Sequence, residues 1–261
     1  MKRIEKILKN NGIELFGVCD FDRENLIECR NKKFLPENAQ SIIMTALPYR
    51  LPDEMYKDRN ISRYAAVRDY HDVFKIYLDK ITTDLKKLFP ENDFISFTDN
   101  SPIYEVESAV KSGIGVRGEN GLLITEKYGS WVFLGEIVTD LKIKGTDYQG
   151  ECLHCGKCKE ICPALKEDKK EKCLSSITQK KGDLTDEEKK KITENKSAWG
   201  CDLCQEICPM NKNKKYTEIA EFLNSAKPKF SSGDSLEGRA YAWRGQAVIE
   251  RNLGILEERK V

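Results

Sequence analysis

The chain has 261 residues, of which 39% are hydrophobic and 33% are charged, and its formal net charge is +1. A chain of this length can bury a sizeable core, as one large domain or two modest ones. No apolar run approaches the roughly 20 residues that a membrane-spanning helix needs, and the near-neutral charge does not favour a nucleic-acid-binding class. No signal peptide is visible before the first helix, so we expect a soluble cytoplasmic protein.

The first 148 residues alternate between helix and strand patterns. Apolar side chains recur with helical spacing at residues 4–10 and 68–89. Runs rich in β-branched and aromatic residues predict strands at 14–19, 41–47 and 94–98, and a hairpin that joins 122–125 to 129–138. This mixture predicts an α+β domain of mixed α/β layers over residues 1–148.

A glycine-rich segment, residues 113–121, has four glycines in nine residues. It matches neither the GxGxxG of dinucleotide-binding folds nor a P-loop. Backbone without side chains can approach a large planar or anionic ligand closely. A plain glycine turn between a helix and a strand explains the segment equally well, so both interpretations stay open.

Eight of the ten cysteines lie between Cys152 and Cys208. Residues 152–163 have the C-x2-C-x2-C-x3-C-P spacing of bacterial ferredoxins, in which three cysteines hold one cluster and the fourth ligates the other. The second run, residues 201–209, is one thiolate short, and Cys173 fills that vacancy. The predicted ligands are Cys152, Cys155, Cys158 and Cys208 for cluster A, and Cys162, Cys173, Cys201 and Cys204 for cluster B.

Two [4Fe–4S] clusters in a ferredoxin-like domain, residues 149–215, explain this spacing better than the alternatives do. Zinc ribbons do not need Cys-Pro endings, and a disulfide framework needs an oxidising compartment. Cys19 and Cys29 lie far upstream and are predicted to be buried structural thiols. The lysine-rich stretch 166–196 is interleaved with acidic residues, which favours a solvated helical insert over an RNA-binding surface. Residues 216–261 are predicted to form a short helical C-terminal segment.

These residues give nearly the whole chain a resemblance to the epoxyqueuosine reductases, cobalamin-dependent iron–sulfur enzymes of queuosine modification in tRNA. The segments that carry the resemblance, besides the cysteines, are 63–65, 69–71, 99, 113–120, 129–136, 200–205 and 243–245. The resemblance implies a base-off cobalamin in the N-terminal domain, which receives electrons from cluster A through cluster B. It also implies a short, monomeric form with little of the family's C-terminal helical repeat domain.

The resemblance further implies an oxidoreductase that converts epoxyqueuosine to queuosine in the anticodon arm of tRNA. Its electrons would come from a low-potential donor such as a flavodoxin or a ferredoxin. The family's general acid matches Asp99, and this role requires a carboxyl group that a desolvated pocket keeps protonated. Without the resemblance, Asp99 is better explained as a strand-ending Asx turn. The predicted cobalamin contacts are Arg63, Tyr64, Asp69, Tyr70, His71, Gly113, Gly115, Gly118, Asn120 and Ser130.

Three exchanges distinguish the chain from the family pattern near the expected substrate. Asn100-Ser101 replaces Thr-Gly, Glu105-Val106 replaces Asp-Arg, and Glu119 replaces Lys. They keep open a second hypothesis, a corrinoid iron–sulfur protein that acts on a small substrate or reactivates a partner corrinoid protein. A plain electron carrier is the third alternative, but it leaves the N-terminal domain without a purpose.

Overall fold

Helices and strands alternate through the first half of the chain, and short helices dominate the second. The computed structural model describes residues 1–147 and 150–258, so the boundary predicted between residues 148 and 149 lies outside the described residues. The strands are β1 Leu15–Asp20, β2 Ser41–Pro48, β3 Phe94–Phe97, β4 Val116–Arg117, β5 Leu123–Ile124 and β6 Val132–Thr139. The α-helices are α1 Lys2–Asn10, α2 Tyr70–Leu88, α3 Glu105–Lys111, α4 Lys157–Ile161, α5 Pro163–Glu167, α6 Leu174–Thr178, α7 Asp186–Glu194, α8 Leu203–Glu206, α9 Ala220–Asn224 and α10 Gln246–Glu257. None of the helices in the described ranges is long and apolar enough to cross a lipid bilayer.

A four-stranded antiparallel sheet in the order β1-β2-β6-β3 forms the centre of the first half. Every residue of its inner strand β2 from Ser41 to Leu47 is buried. Because successive side chains point to opposite sides of a strand, both faces of β2 are covered. Met44 belongs to the core on the α3 side. Gly135, opposite Thr45, faces α2, since a Cβ at Gly135 would lie only 2.7 Å from Phe74 Cε1. Helices therefore cover both faces of the sheet.

The predicted hairpin around residues 126–129 is wrong in its pairing. The turn exists, because Thr125 and Gly129 form an isolated antiparallel bridge. The segments on either side of it diverge: β5 pairs with β4 in a separate two-stranded sheet, whereas β6 pairs with β2 and β3. β6 carries buried side chains on both faces, and its pairing with β2 and β3 satisfies the backbone hydrogen-bonding groups along both of its edges.

Residues Met1–Pro48 and His71–Leu153 form one compact unit, and Tyr49–Tyr70 and His154–Val261 form another. The prediction of a continuous N-terminal domain therefore differs from the observed grouping of Tyr49–Tyr70 with the cysteine-containing half. In the first unit, Cys19 is buried, and burial raises the pKa of its thiol to about 11. Cys29 is only partly buried, so the prediction of a buried structural thiol is wrong at that position.

Two apolar clusters lie in the described part of the second unit. The larger one packs Ile61 and Ala65 against Trp199 and Tyr241. The smaller one surrounds Ile177 and Ile192 in the lysine-rich stretch, whose charged side chains pair at the surface. The side chain of Asn252 is fully buried between the two clusters, where its amide donates 2.8 Å hydrogen bonds to the carbonyl oxygens of Thr178 and Ala198.

Candidate functional site

Asp99 and His71 meet at one end of the sheet in the first unit. Asp99 follows β3 in the left-handed backbone region, with a φ of 52°, which aspartate tolerates better than most residues. Its Oδ2 lies 3.4 Å from Nε2 of His71, the second residue of α2. The Asp99 side chain is 64% exposed.

The ionisation of Asp99 differs from the sequence prediction. The hydrogen bond with His71 lowers the pKa of Asp99, and this effect outweighs partial desolvation. The prediction that a desolvated pocket keeps this carboxyl group protonated is therefore wrong for this conformation. Asp99 is an accessible carboxylate beside an imidazole.

Two glutamates that were not among the predicted site residues lie beside Asp99. Glu105, at the start of α3, accepts a 3.3 Å hydrogen bond from the backbone N–H of Asp99. Glu136, in the middle of β6, is fully buried and accepts a hydrogen bond from the hydroxyl of Ser101. The one available signal in the sequence was a carboxylate within an otherwise apolar strand.

Burial shifts both glutamates toward their protonated forms. It raises the pKa of Glu105 to about 7, helped by the negative charge of Asp99. Burial also raises the pKa of Glu136 well above its usual value, helped by the charge of Glu105. Glu105 therefore shows the elevated pKa that was expected for Asp99.

Packing within the β4–β5 hairpin accounts for two of the glycines predicted to contact cobalamin. A Cβ at Gly115 would lie 2.4 Å from the carbonyl oxygen of Ile124, and one at Gly118 would lie 2.5 Å from Asn120 Oδ1. The same Asn120 oxygen accepts a hydrogen bond from the N–H of Leu122. These close approaches are those of a turn within the hairpin. Contact of Gly115, Gly118 and Asn120 with a corrinoid stays a prediction. His71, Gly113 and the buried Ser130 belong to the same unit.

The other predicted cobalamin contacts belong to the second unit, where Arg63 and Tyr64 have protein partners. The N–H of Arg63 donates to Asp202 Oδ2 at 2.8 Å, and its guanidinium lies 3.3 Å from Glu206. The hydroxyl of Tyr64 accepts a 2.8 Å hydrogen bond from Trp199 Nε1. Asp69 and Tyr70 belong to this unit as well. The ten predicted contacts are thus divided between the two units.

The predicted ligands of cluster B gather around Cys201. Burial raises the pKa of the Cys201 thiol to about 12, and the nearby thiols of Cys173 and Cys162 contribute to this increase. Cys158, a predicted cluster A ligand, is buried at the start of α4, whereas Cys155 is exposed. His154, which lies between Cys152 and Cys155 in the sequence, has a left-handed φ of 48°.

Two family profiles match the chain. Residues 30–100 match "Epoxyqueuosine reductase QueG, DUF1730", and residues 151–211 match "4Fe-4S double cluster binding domain". The epoxyqueuosine reductase of Lactococcus garvieae is 31% identical over an alignment that spans 89% of this chain and 73% of the relative.

Two similar solved structures are epoxyqueuosine reductases. One contains an epoxyqueuosine-modified tRNA-Tyr stem loop, with 26% identity and a TM-score of 0.82. The other, from Bacillus subtilis, has its aspartate catalytic loop swung out of the active site, with 26% identity and a TM-score of 0.81. The alignment with each structure covers 98% of this chain and 80% of the solved chain.

The double-cluster segment and the α+β unit that carries the Asp99 site define an iron–sulfur oxidoreductase. Its relatives share this arrangement over most of their length. The chain belongs to the epoxyqueuosine reductase family.

Proposed function

We propose that this protein reduces epoxyqueuosine to queuosine in tRNA. The observation that carries the proposal is the match over 98% of the chain to an epoxyqueuosine reductase with a modified tRNA stem loop. The 31% identity to a second reductase over most of both chains supports the same activity. The alternative substrates considered from the sequence have no comparable support.

Two [4Fe–4S] clusters would supply the electron path, with the ligand sets predicted from the spacing. The donor chemistry fits cluster B, because Cys162 and Cys173 are close enough to Cys201 to contribute to the raised pKa of its thiol. Ser62 and Cys201 line one cavity of about 240 Å³. The buried Ser62 hydroxyl has no hydrogen-bond partner within the described ranges, so it is available to donate to a cluster sulfur.

A bound cobalamin would supply the two electrons that remove the epoxide oxygen. Support for this cofactor comes from the family resemblance. The side chains in the first unit that fit such a group best are His71 and Asp99, because both are partly exposed and polar at the end of the sheet. We assign the binding role in the first unit to His71 and Ser130, and the contacts expected at Arg63, Tyr64, Asp69 and Tyr70 stay predictions.

Asp99 would act as the general acid. It occupies the family's acid position, and a related reductase has its catalytic aspartate on a loop that changes position. Substrate that covers the exposed carboxyl group would remove water from it and raise its pKa. His71 would orient the carboxyl group through the contact of 3.4 Å between Nε2 and Oδ2.

The test is reduction of an epoxyqueuosine-containing tRNA stem loop by the anaerobically purified, cluster- and cobalamin-loaded protein, followed by nucleoside mass spectrometry. We expect queuosine from the wild type, and a loss of at least about a hundredfold in kcat for Asp99→Asn, since removing a general acid costs this much. Asp93→Asn, in which the substituted residue is exposed and pairs with Lys86, is the matched control and should retain activity. Absence of queuosine from fully loaded wild-type protein would refute the proposed function, and an active Asp99→Asn variant would refute the acid.

A further inference from the structure

The carboxyl groups of Glu105 and Glu136 are neighbours beside Asp99, since the backbone N–H of Asp99 donates to Glu105 Oε1 and the hydroxyl of Ser101, two residues later, donates to Glu136 Oε1. The two residues come from different elements, the start of α3 and the middle of β6. Their contact places a second acidic group directly behind the exposed carboxylate of Asp99. The role proposed for Asp99 does not account for this pair.

The bonding of Glu136 favours a pair that holds one proton. Its Oε1 accepts from the Ser101 hydroxyl, which in turn accepts a 3.1 Å hydrogen bond from the N–H of Ile103. Its Oε2 is buried and receives no hydrogen bond from an N–H or hydroxyl group in residues 1–147 and 150–258. A buried carboxylate oxygen without a donor is costly, and two adjacent carboxylates in a buried site cannot both ionise. A proton shared with Glu105 resolves both problems.

The surroundings of the pair keep this proton in place near neutral pH. Asp99, on the loop after β3, and His71, on α2, are the ionisable groups that act on Glu105. The residues paired with Glu136 on β2 and β3 are Met44 and Phe97, which are buried and uncharged. The negative charge of Asp99 favours protonation of Glu105, and a proton from the pair therefore has a nearby acceptor in Asp99.

We propose that the Glu105–Glu136 pair stores one of the two protons that each turnover consumes and passes it to Asp99. This inference rests on the proposed function. Reduction of an epoxide to an alkene takes up two electrons and two protons, breaks both C–O bonds and releases water. Asp99 gives a proton to the departing oxygen, and the pair restores that proton before taking another from solvent. Glu105 and Glu136 are thus positioning residues that act through Asp99.

The first measurement is the infrared absorption of protonated carboxyl groups in the cluster-loaded protein, recorded as a difference between neighbouring pH values. The wild type should show a carboxylic acid band at pH 6 that disappears as the pH rises through about 7, the pKa of Glu105. Glu105→Gln should lose this band. Glu107→Gln, in which the substituted residue is exposed on the same helix and paired with Lys111, should retain it. A wild type without the band would overturn the inference.

The second measurement is the pH profile of kcat on the epoxyqueuosine stem loop. Glu105→Gln removes the like charge beside Glu136, so the pKa of Glu136 falls and its proton is lost at lower pH. We expect the alkaline limb of kcat to move down by about one pH unit, which is a tenfold loss at high pH, with KM nearly unchanged. If the alkaline limb of kcat is unchanged in a variant that has lost the infrared band, the pair has only a structural role. Wild-type protein with the band but without activity would refute the proposed function and the delivery of the proton, while the pair itself would still be shown to hold one.

Discussion

Replacing Arg59 by methionine tests how the segment Tyr49–Tyr70 is held in the second unit. The guanidinium of Arg59 lies 2.6 Å from Asp202 Oδ2 and 2.5 Å from Glu206 Oε1. The Asp202 side chain is 1% exposed, while that of Arg59 is 26% exposed. Methionine preserves much of the side-chain length but leaves Asp202 Oδ2 with the N–H of Arg63 as its donor, without the cation of Arg59.

Removing one partner from a buried ion pair typically costs about 3 to 5 kcal/mol. We expect the lower end, about 3 kcal/mol, because Arg59 is partly exposed and water can reach the gap. For a chain of this size that loss lowers the thermal midpoint by about 6 to 12 °C. The assay is anaerobic thermal unfolding of cluster-loaded protein, with iron content checked before each scan.

Two further variants make the interpretation specific. Arg59→Met combined with Asp202→Asn should recover much of the loss, because asparagine can still accept from the N–H of Arg63 and no buried charge remains. Lys189→Met removes a cation from an exposed pair with Asp186 at 3.8 Å and should change stability by less than about 1 kcal/mol. If Arg59→Met costs no more than Lys189→Met, or if the double variant is no better than the single one, the reasoning is refuted.

Two more predictions concern a cluster ligand and a tight packing contact. Cys173→Ala should reduce the iron content from about eight to about four atoms per chain, because only cluster B loses a ligand. Cys29→Ala is the control and should leave the iron content unchanged. Full iron content in Cys173→Ala would invalidate the ligand assignment. Gly17→Ala should lower the free energy of unfolding by about 3 kcal/mol in chemical denaturation, because the added Cβ would lie 1.9 Å from the carbonyl oxygen of Ser112. Gly254→Ala, which meets no atom within 4 Å in a helix, should raise it by up to about 1 kcal/mol, and equal effects of the two substitutions would contradict the packing argument.

Local patterns predicted the elements whose formation depends on local sequence. The long apolar run of β2 and the helical periodicity of α2 place these elements within two residues of their observed bounds. The cysteine spacing predicted a double-cluster segment, which the family profile over residues 151–211 confirms. The pairing of β6 was not predicted, because a turn between two apolar runs does not show which strands those runs will pair with.

The candidate site was harder to predict because its chemistry depends on distant partners. Asp99 was identified through the resemblance, but its ionisation depends on His71, which is 28 positions earlier. Glu105 appeared only as a departure from the family pattern, and its significance depends on Glu136 across the fold. Sequence spacing cannot show that two carboxyl groups will be neighbours in the fold.

The grouping of Tyr49–Tyr70 with the second half has a consequence for synthesis on the ribosome. Ile61 forms a parallel bridge with Trp199, and Asn60 exchanges two hydrogen bonds with Phe230, 170 positions later. At translation rates of about 5 to 20 residues per second, this segment waits roughly 10 to 30 seconds for its partners to emerge. During that interval Ile61 and Ala65 lack the apolar partners that bury them in the folded protein. Slow translation of the second half should therefore lower the yield of folded protein more than slow translation of the first.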